Sequence, residues 1–148
     1  MLNSVQHGVE KLEVVIDSGA AENVAPPTVG KGFAIVESAG SKRGQQYITA
    51  DGSRIPNLGQ KAIIAETAEG NLFTLGFQMA NVTKPLASVG RMCDAGNSVV
   101  FGPRGGYIQN MQTGQVTEFK RLNGVYLLEA WAQGDYSASG SGFTRQGC

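Results

Sequence analysis

The residues able to do chemistry gather at Asp17-Ser18-Gly19-Ala20. The three residues before them, Val14-Val15-Ile16, are β-branched and apolar, which marks a buried strand. Asp-Ser-Gly is the chemistry of a tight turn that ends such a strand. The pattern delivers a carboxylate to the mouth of an apolar strand, beside a glycine that lets another backbone come close. A carboxylate in that position is costly unless it is hydrogen-bonded, neutralised or used. On the tripeptide alone, an ordinary polar turn is the better reading.

Other reactive side chains are scarce. His7 is the only histidine, and the two cysteines are Cys93 and Cys148. One His and two distant Cys do not make a zinc site, and no other cofactor is implied. The same count disfavours a Ser-His-Asp or Cys-His enzyme. Two cysteines are no disulfide framework, so a reducing compartment is the simpler expectation. Lys plus Arg and Asp plus Glu are both 12, which leaves no basic footprint for nucleic acid. No apolar run approaches the ~18 residues of a membrane span, and the N-terminus lacks a signal-peptide core.

The 148 residues suffice for one domain with a real core, and 41% hydrophobic with 16% charged residues is a globular balance. Twenty-one glycines favour an all-β protein with many tight turns. Strands are expected over residues 11–16, 33–36, 47–50, 61–66, 72–82, 97–101, 107–110, 116–121 and 125–131. Gly76 is a candidate bulge in the long strand. Val24-Ala25-Pro26-Pro27 is expected to be irregular, and residues 38–45 a loop. Asp51-Gly52 and Asn123-Gly124 are hairpin signals. One helix is expected, about two turns ending at Gly96, with Met92, Cys93 and Ala95 facing the core. Residues 1–11 read as an arm and residues 132–148 as a Gly/Ser-rich disordered tail or linker.

The order of strand, Asp-Ser-Gly, loop, hairpin, bent strand, Val89-Gly90-Arg91, short helix and strand resembles a retropepsin. This is the single-domain aspartic protease of retroviruses and retrotransposons. The resemblance is greatest to the protease region of copia-type polyproteins. It is carried by Asp17-Ser18-Gly19-Ala20, Ala50-Asp51-Gly52, Pro85-Leu86-Ala87-Ser88-Val89, Asn97-Ser98-Val99-Val100-Phe101 and Asn123-Gly124-Val125-Tyr126-Leu127-Leu128. It covers about residues 12–131.

The resemblance implies an all-β, closed β-barrel with one short α-helix, and the strands over residues 102–131 are extra, exceeding a minimal member of the family. Those strands are either an added sheet or the start of the next polyprotein segment. It also implies an aspartic endopeptidase that cleaves its own polyprotein as a homodimer. No membrane and no nucleic acid are implied as partners, and the location implied is the cytoplasm or intracellular retroelement particles. Asp17 matches the catalytic aspartate, Ser18 the hydroxyl that braces the dyad, and Gly19 and Ala20 the active-site support. Ile55, Pro56, Asn57, Leu58 and Gly59 match the substrate-covering flap, and Val89, Gly90 and Arg91 the structural segment before the helix.

Besides these extra strands, the chain departs from the family in two places. Ala21 stands where retroviral members often carry an acid that pairs with this arginine, leaving Glu22 or Asp94 as partners for Arg91. The flap segment lacks a Gly-Gly tip and contains Pro56. Asp51 and Asp94 read as surface residues. Cys93 reads as core, and Tyr126 and Trp131 as core or interface. Two rival readings stand beside the protease. One is the same fold with catalysis lost, used as a dimeric binding or assembly module. The other is a plain β domain with a coincidental Asp-Ser-Gly.

Overall fold

The computed structural model describes residues 10–133. The expected arm over residues 1–9, with His7, and the expected tail from residue 134, with Cys148, lie outside the described residues. In chain order the elements are β1 (Glu10–Asp17), β2 (Val24–Ala25), α1 (Ala39–Lys42), β3 (Gln46–Ile48), β4 (Arg54–Pro56), β5 (Gly59–Thr67) and β6 (Leu72–Met79). They continue as β7 (Leu86–Ser88), α2 (Val89–Asp94), β8 (Asn97–Phe101), β9 (Gly105–Asn110), β10 (Val116–Leu122) and β11 (Val125–Ala132). The chain is therefore mostly β-sheet with two short helices among the described residues.

Nine strands share one sheet in the order β1-β7-β2-β6-β5-β11-β10-β9-β8, and β11 also pairs with β1. The pairings from β1 through β7, β2, β6, β5 and β11 return to β1 as a ring, and β10, β9 and β8 run outward from β11. β3 and β4 form a separate hairpin. Period-two patterning builds the core. Leu12, Val14 and Ile16 of β1 point inward, as do Ile63 and Ala65 of β5, Leu75, Phe77 and Met79 of β6, and Leu128, Ala130 and Ala132 of β11. Each large side chain among them contributes about 1.5–3 kcal/mol by leaving water.

β1 is held on both sides. Glu10 to Val15 pair antiparallel with β11, and Val15 to Asp17 pair parallel with β7, which sets Asp17 opposite Ser88. The strands after Phe101 belong to this sheet, since β11 lies between β1 and β5. A cluster of Phe101, Phe119 and Tyr126, with ring centroids 4.8–5.8 Å apart, secures the outer strands. The Tyr126 hydroxyl donates to the Gly102 carbonyl at 2.8 Å.

Several expectations from the sequence are corrected. Residues 33–36 form no strand: Phe33 is buried, and only Val36 pairs, in an isolated bridge with Gln60. Residues 38–45 contain helix α1, so the helices number two among the described residues. Its start is a reciprocal cap in which Ser38 Oγ accepts from Ser41 N and Ser41 Oγ accepts from Ser38 N. Serine stands where Glu or Gln usually completes this motif. β2 forms just before the prolines end it. Gly76 is no bulge, because it pairs in unbroken register with Ala62. Cys93 and Ala95 are exposed, and only Met92 of the three packs on the core, because α2 is too short to bury more than one face. Glu10 belongs to β1 rather than to an arm, one residue before the expected strand, and Lys11 of that strand pairs with Glu129 at 3.0 Å.

The turn after β2 is pinned from both sides. Glu10 Oε1 accepts from the backbone N–H of Gly30 and of Lys31, each at 3.1 Å. Lys61, buried in β5, donates from Nζ to the carbonyls of Pro27, Val29 and Gly30 at 2.8–3.1 Å. Its three donors meet three acceptors, the arrangement a buried ammonium requires.

Candidate active site

β1 carries Asp17 out of the core at its last residue. The Asp17 Oδ1 atom accepts from Gly19 N at 2.8 Å, the local bond that shapes an Asp-initiated turn. Asp17 is half-buried, while Ser18 and Gly19 are exposed.

The loop beyond is sewn to the start of α2. Ser88, buried at the end of β7, donates from Oγ to Ala20 O at 2.7 Å, and its N–H donates to Asn23 Oδ1 at 2.7 Å. The same hydroxyl caps α2 by accepting from Arg91 N at 3.2 Å. Asn23 Nδ2 reaches Gly76 O at 3.0 Å. Arg91 Nε donates to Ala21 O at 3.3 Å, and its guanidinium lies 3.6 Å from a Glu22 carboxylate oxygen. Glu22 is thus the acid that partners Arg91, and Asp94 is not.

Asp17 lines a cavity of about 630 Å³. Ala20, Ala21, Glu22 and Arg91 line it from the loop and α2, and Tyr47, Ile48, Thr49 and Ile55 from the β3–β4 hairpin. Val24, Val82 and Leu86 supply apolar surface between them. A mostly apolar cavity of this size with a few convergent polar groups has room for a small organic ligand or a few residues of a peptide.

The expected flap residues do not act as one segment. Ile55 and Pro56 end β4, Gly59 begins β5, and of the five only Ile55 lines the cavity. Asn57 is buried and Leu58 exposed. The element that faces Asp17 across the cavity is the β3–β4 hairpin, whose turn lies at Asp51-Gly52. There Asp51 Oδ1 accepts from Thr49 Oγ1 at 2.5 Å and from Ser53 N at 2.9 Å. These bonds hold the Asp51 carboxyl down at about 2. Of the segment before the helix, Arg91 lines the cavity, Val89 packs on the core and Gly90 is exposed.

A polar chain that the sequence does not announce joins hairpin to loop. Tyr47 OH donates to Glu22 Oε1 at 2.8 Å, and Gln45 Nε2 approaches the same oxygen at 3.4 Å. Asn57 Nδ2 lies 3.2 Å from the Tyr47 hydroxyl, 3.1 Å from Gln45 Oε1 and 2.9 Å from Gln78 Oε1. Burial, with Glu22 beside it, pushes the Tyr47 phenol well above its ordinary range, so it remains a donor. The only sequence signal for this chain was the need of Arg91 for an acid.

Among the described residues no three His, Cys, Asp or Glu side chains gather to hold a metal ion. Among the same residues no helix is long and apolar enough to cross a membrane. Compared with known proteins, the chain matches no family model, no curated protein and no solved structure.

Proposed function

We propose that this chain is a retropepsin-type aspartic endopeptidase that cleaves the polyprotein of its own retroelement, in the cytoplasm or within intracellular particles. The observation that carries this reading is the placement of Asp17. It stands at the end of a doubly paired core strand, with one oxygen fixed by its own turn, on the wall of a peptide-sized cavity faced by a hairpin.

The chemistry needs two carboxylates about 3 Å apart sharing one proton, because two like charges at that distance do not both ionise. One activates water as general base while the other protonates the carbonyl of the scissile peptide. Among the residues lining the cavity, the acids are Asp17 and Glu22, and Glu22 is committed to Tyr47 and Arg91. The second carboxylate is therefore Asp17 of a second copy, related by a two-fold axis. In this reading the Ser18 hydroxyl braces the pair, and the exposure of Ser18 and Gly19 leaves them free to meet that copy.

The sheet supports self-association at β8. At the two ends of the β8–β9 ladder, Met111 N donates to Gly96 O at 3.0 Å and Gly102 N donates to Gly105 O at 2.6 Å. By the alternation of an antiparallel ladder, the N–H and C=O groups of Asn97, Val99 and Phe101 face the outer edge. This edge reads Asn-Ser-Val-Val-Phe, with no charge or proline to blunt it, and an antiparallel second copy pairs with it symmetrically.

The test is incubation with a polypeptide spanning the flanking polyprotein. Discrete cleavage is expected, blocked by a statine-type transition-state mimic and indifferent to chelator. A folded dimer that cleaves nothing would instead support a binding or assembly module, and loss of activity with chelator would point to other chemistry.

A further inference from the structure

We infer that Glu22 and Tyr47 form a latch that holds the β3–β4 hairpin over the Asp17 cavity, and that releasing it opens the cavity to an extended peptide. The first half stands on geometry alone, and the second rests on the protease reading.

The two hairpin strands pair only with each other. A lone two-stranded hairpin is marginally stable in water, so its order depends on what ties it to the body. The ties run through side chains at its entry. Tyr47 OH meets Glu22 at 2.8 Å, and Asn57 meets the same hydroxyl at 3.2 Å. Glu22 is held in turn by Arg91 at 3.6 Å, and Arg91 bonds back to Ala21 O. The phenol–carboxylate bond is charge-assisted, the strongest class of hydrogen bond open to tyrosine.

The far end of the hairpin is closed by its own bonds, Thr49 N to Ser53 O at 2.9 Å and those of Asp51. The tip is thus internally tied, and the links to the Asp17 loop lie at its entry, a short one from Tyr47 at 2.8 Å and a long one from Gln45 at 3.4 Å. Glu22 and Tyr47 both line the cavity, so an entering chain meets the latch directly. Tyr47 is a positioning residue in this scheme, since it acts on substrate by placing the hairpin.

The experiment is amide hydrogen exchange on the full chain, comparing wild type with Tyr47→Phe and Glu22→Gln. Tyr47→Phe deletes one hydroxyl and keeps the ring. The hairpin amides of Thr49 and Ile55 are expected to exchange about tenfold faster, while those of β5 and β6 keep their protection. Glu22→Gln keeps an acceptor without the charge and is expected to fall between. Cleavage by Tyr47→Phe is expected to show a changed KM at nearly constant kcat. Unchanged exchange at Thr49 and Ile55 would overturn the latch, as would equal acceleration across β5 and β6. A loosened hairpin in a protein that cleaves nothing upholds the latch and removes the protease. Cleavage with unchanged exchange keeps the protease and removes the latch.

Discussion

Replacing Asp17 with Asn is expected to lower peptide cleavage by at least about 10³-fold while the chain folds as before. The two halves of this result have separate causes. Asparagine keeps an Oδ1 acceptor in the place where Asp17 accepts from Gly19 N at 2.8 Å, so the turn is preserved. Residues Val15 to Asp17 stay paired with β7, because that pairing is made by backbone. The carboxamide, however, neither accepts a proton from water nor shares one with a partner carboxylate. Melting curves and circular dichroism check the fold, and cleavage of the flanking polyprotein checks the chemistry. Wild-type cleavage by a folded Asp17→Asn chain would remove Asp17 from the mechanism.

The largest expected loss of stability comes from Lys61→Met, which is expected to cost about 2–4 kcal/mol of unfolding free energy. Methionine fills much of the lysine volume but leaves the carbonyls of Pro27 and Val29 without this donor, while the Gly30 carbonyl keeps only the Phe33 N–H at 2.9 Å. Removing the ammonium also removes its burial penalty, which works the other way. Burial lowers the Lys61 pKa below 10.5, opposed by the charge of Glu10. A base whose pKa falls on folding costs stability while both states are protonated. That cost is relieved as pH rises through the folded pKa toward the unfolded one. At neutral pH it is therefore carried in full. Two stranded carbonyls, with a third left one donor short, outweigh it, since each unmet buried acceptor costs about 1–3 kcal/mol. Against a typical total of about 5–15 kcal/mol the loss is large, and denaturant titration reads it as a lower midpoint. A change below about 0.5 kcal/mol would show that the turn does not depend on Lys61.

What was legible in the sequence was local. Val14-Val15-Ile16 before Asp-Ser-Gly specified a core strand and its turn, because alternation and turn chemistry act within a few residues. Asn123-Gly124 specified its hairpin, where Asn123 and Gly124 take φ of 52° and 79° as a tight hairpin turn requires. Gly96, with φ of 93°, closed α2 as expected. Lys61 shares the phase of Ile63 and Ala65, a hint of its burial, but nothing nearby in sequence names its acceptors.

The remainder depended on contacts between distant residues. Tyr47 and Glu22 are 25 residues apart, and no spacing rule joins them. Tertiary folding lines the Asp17 cavity with Tyr47, Ile48, Thr49 and Ile55 of the hairpin, whereas Pro56 to Gly59 do not line it. The capping pair at α1 escaped notice because Ser41 does with a hydroxyl what a longer side chain usually does. Residues 33–36 have strand-like composition, yet only Val36 finds a pairing partner, and composition without a partner makes no strand.

The central claim is that the working site contains Asp17 from two copies of this chain. It is tested most directly by mixing wild-type and Asp17→Asn chains in equal amounts, well above the dimer dissociation constant, and letting them exchange before assaying cleavage. If both carboxylates are needed, only wild-type pairs work, and random pairing leaves about a quarter of the activity of the same quantity of wild-type chain. Retention of about half, with specific activity that does not fall on dilution, would contradict the shared site and assign the chemistry to a single chain.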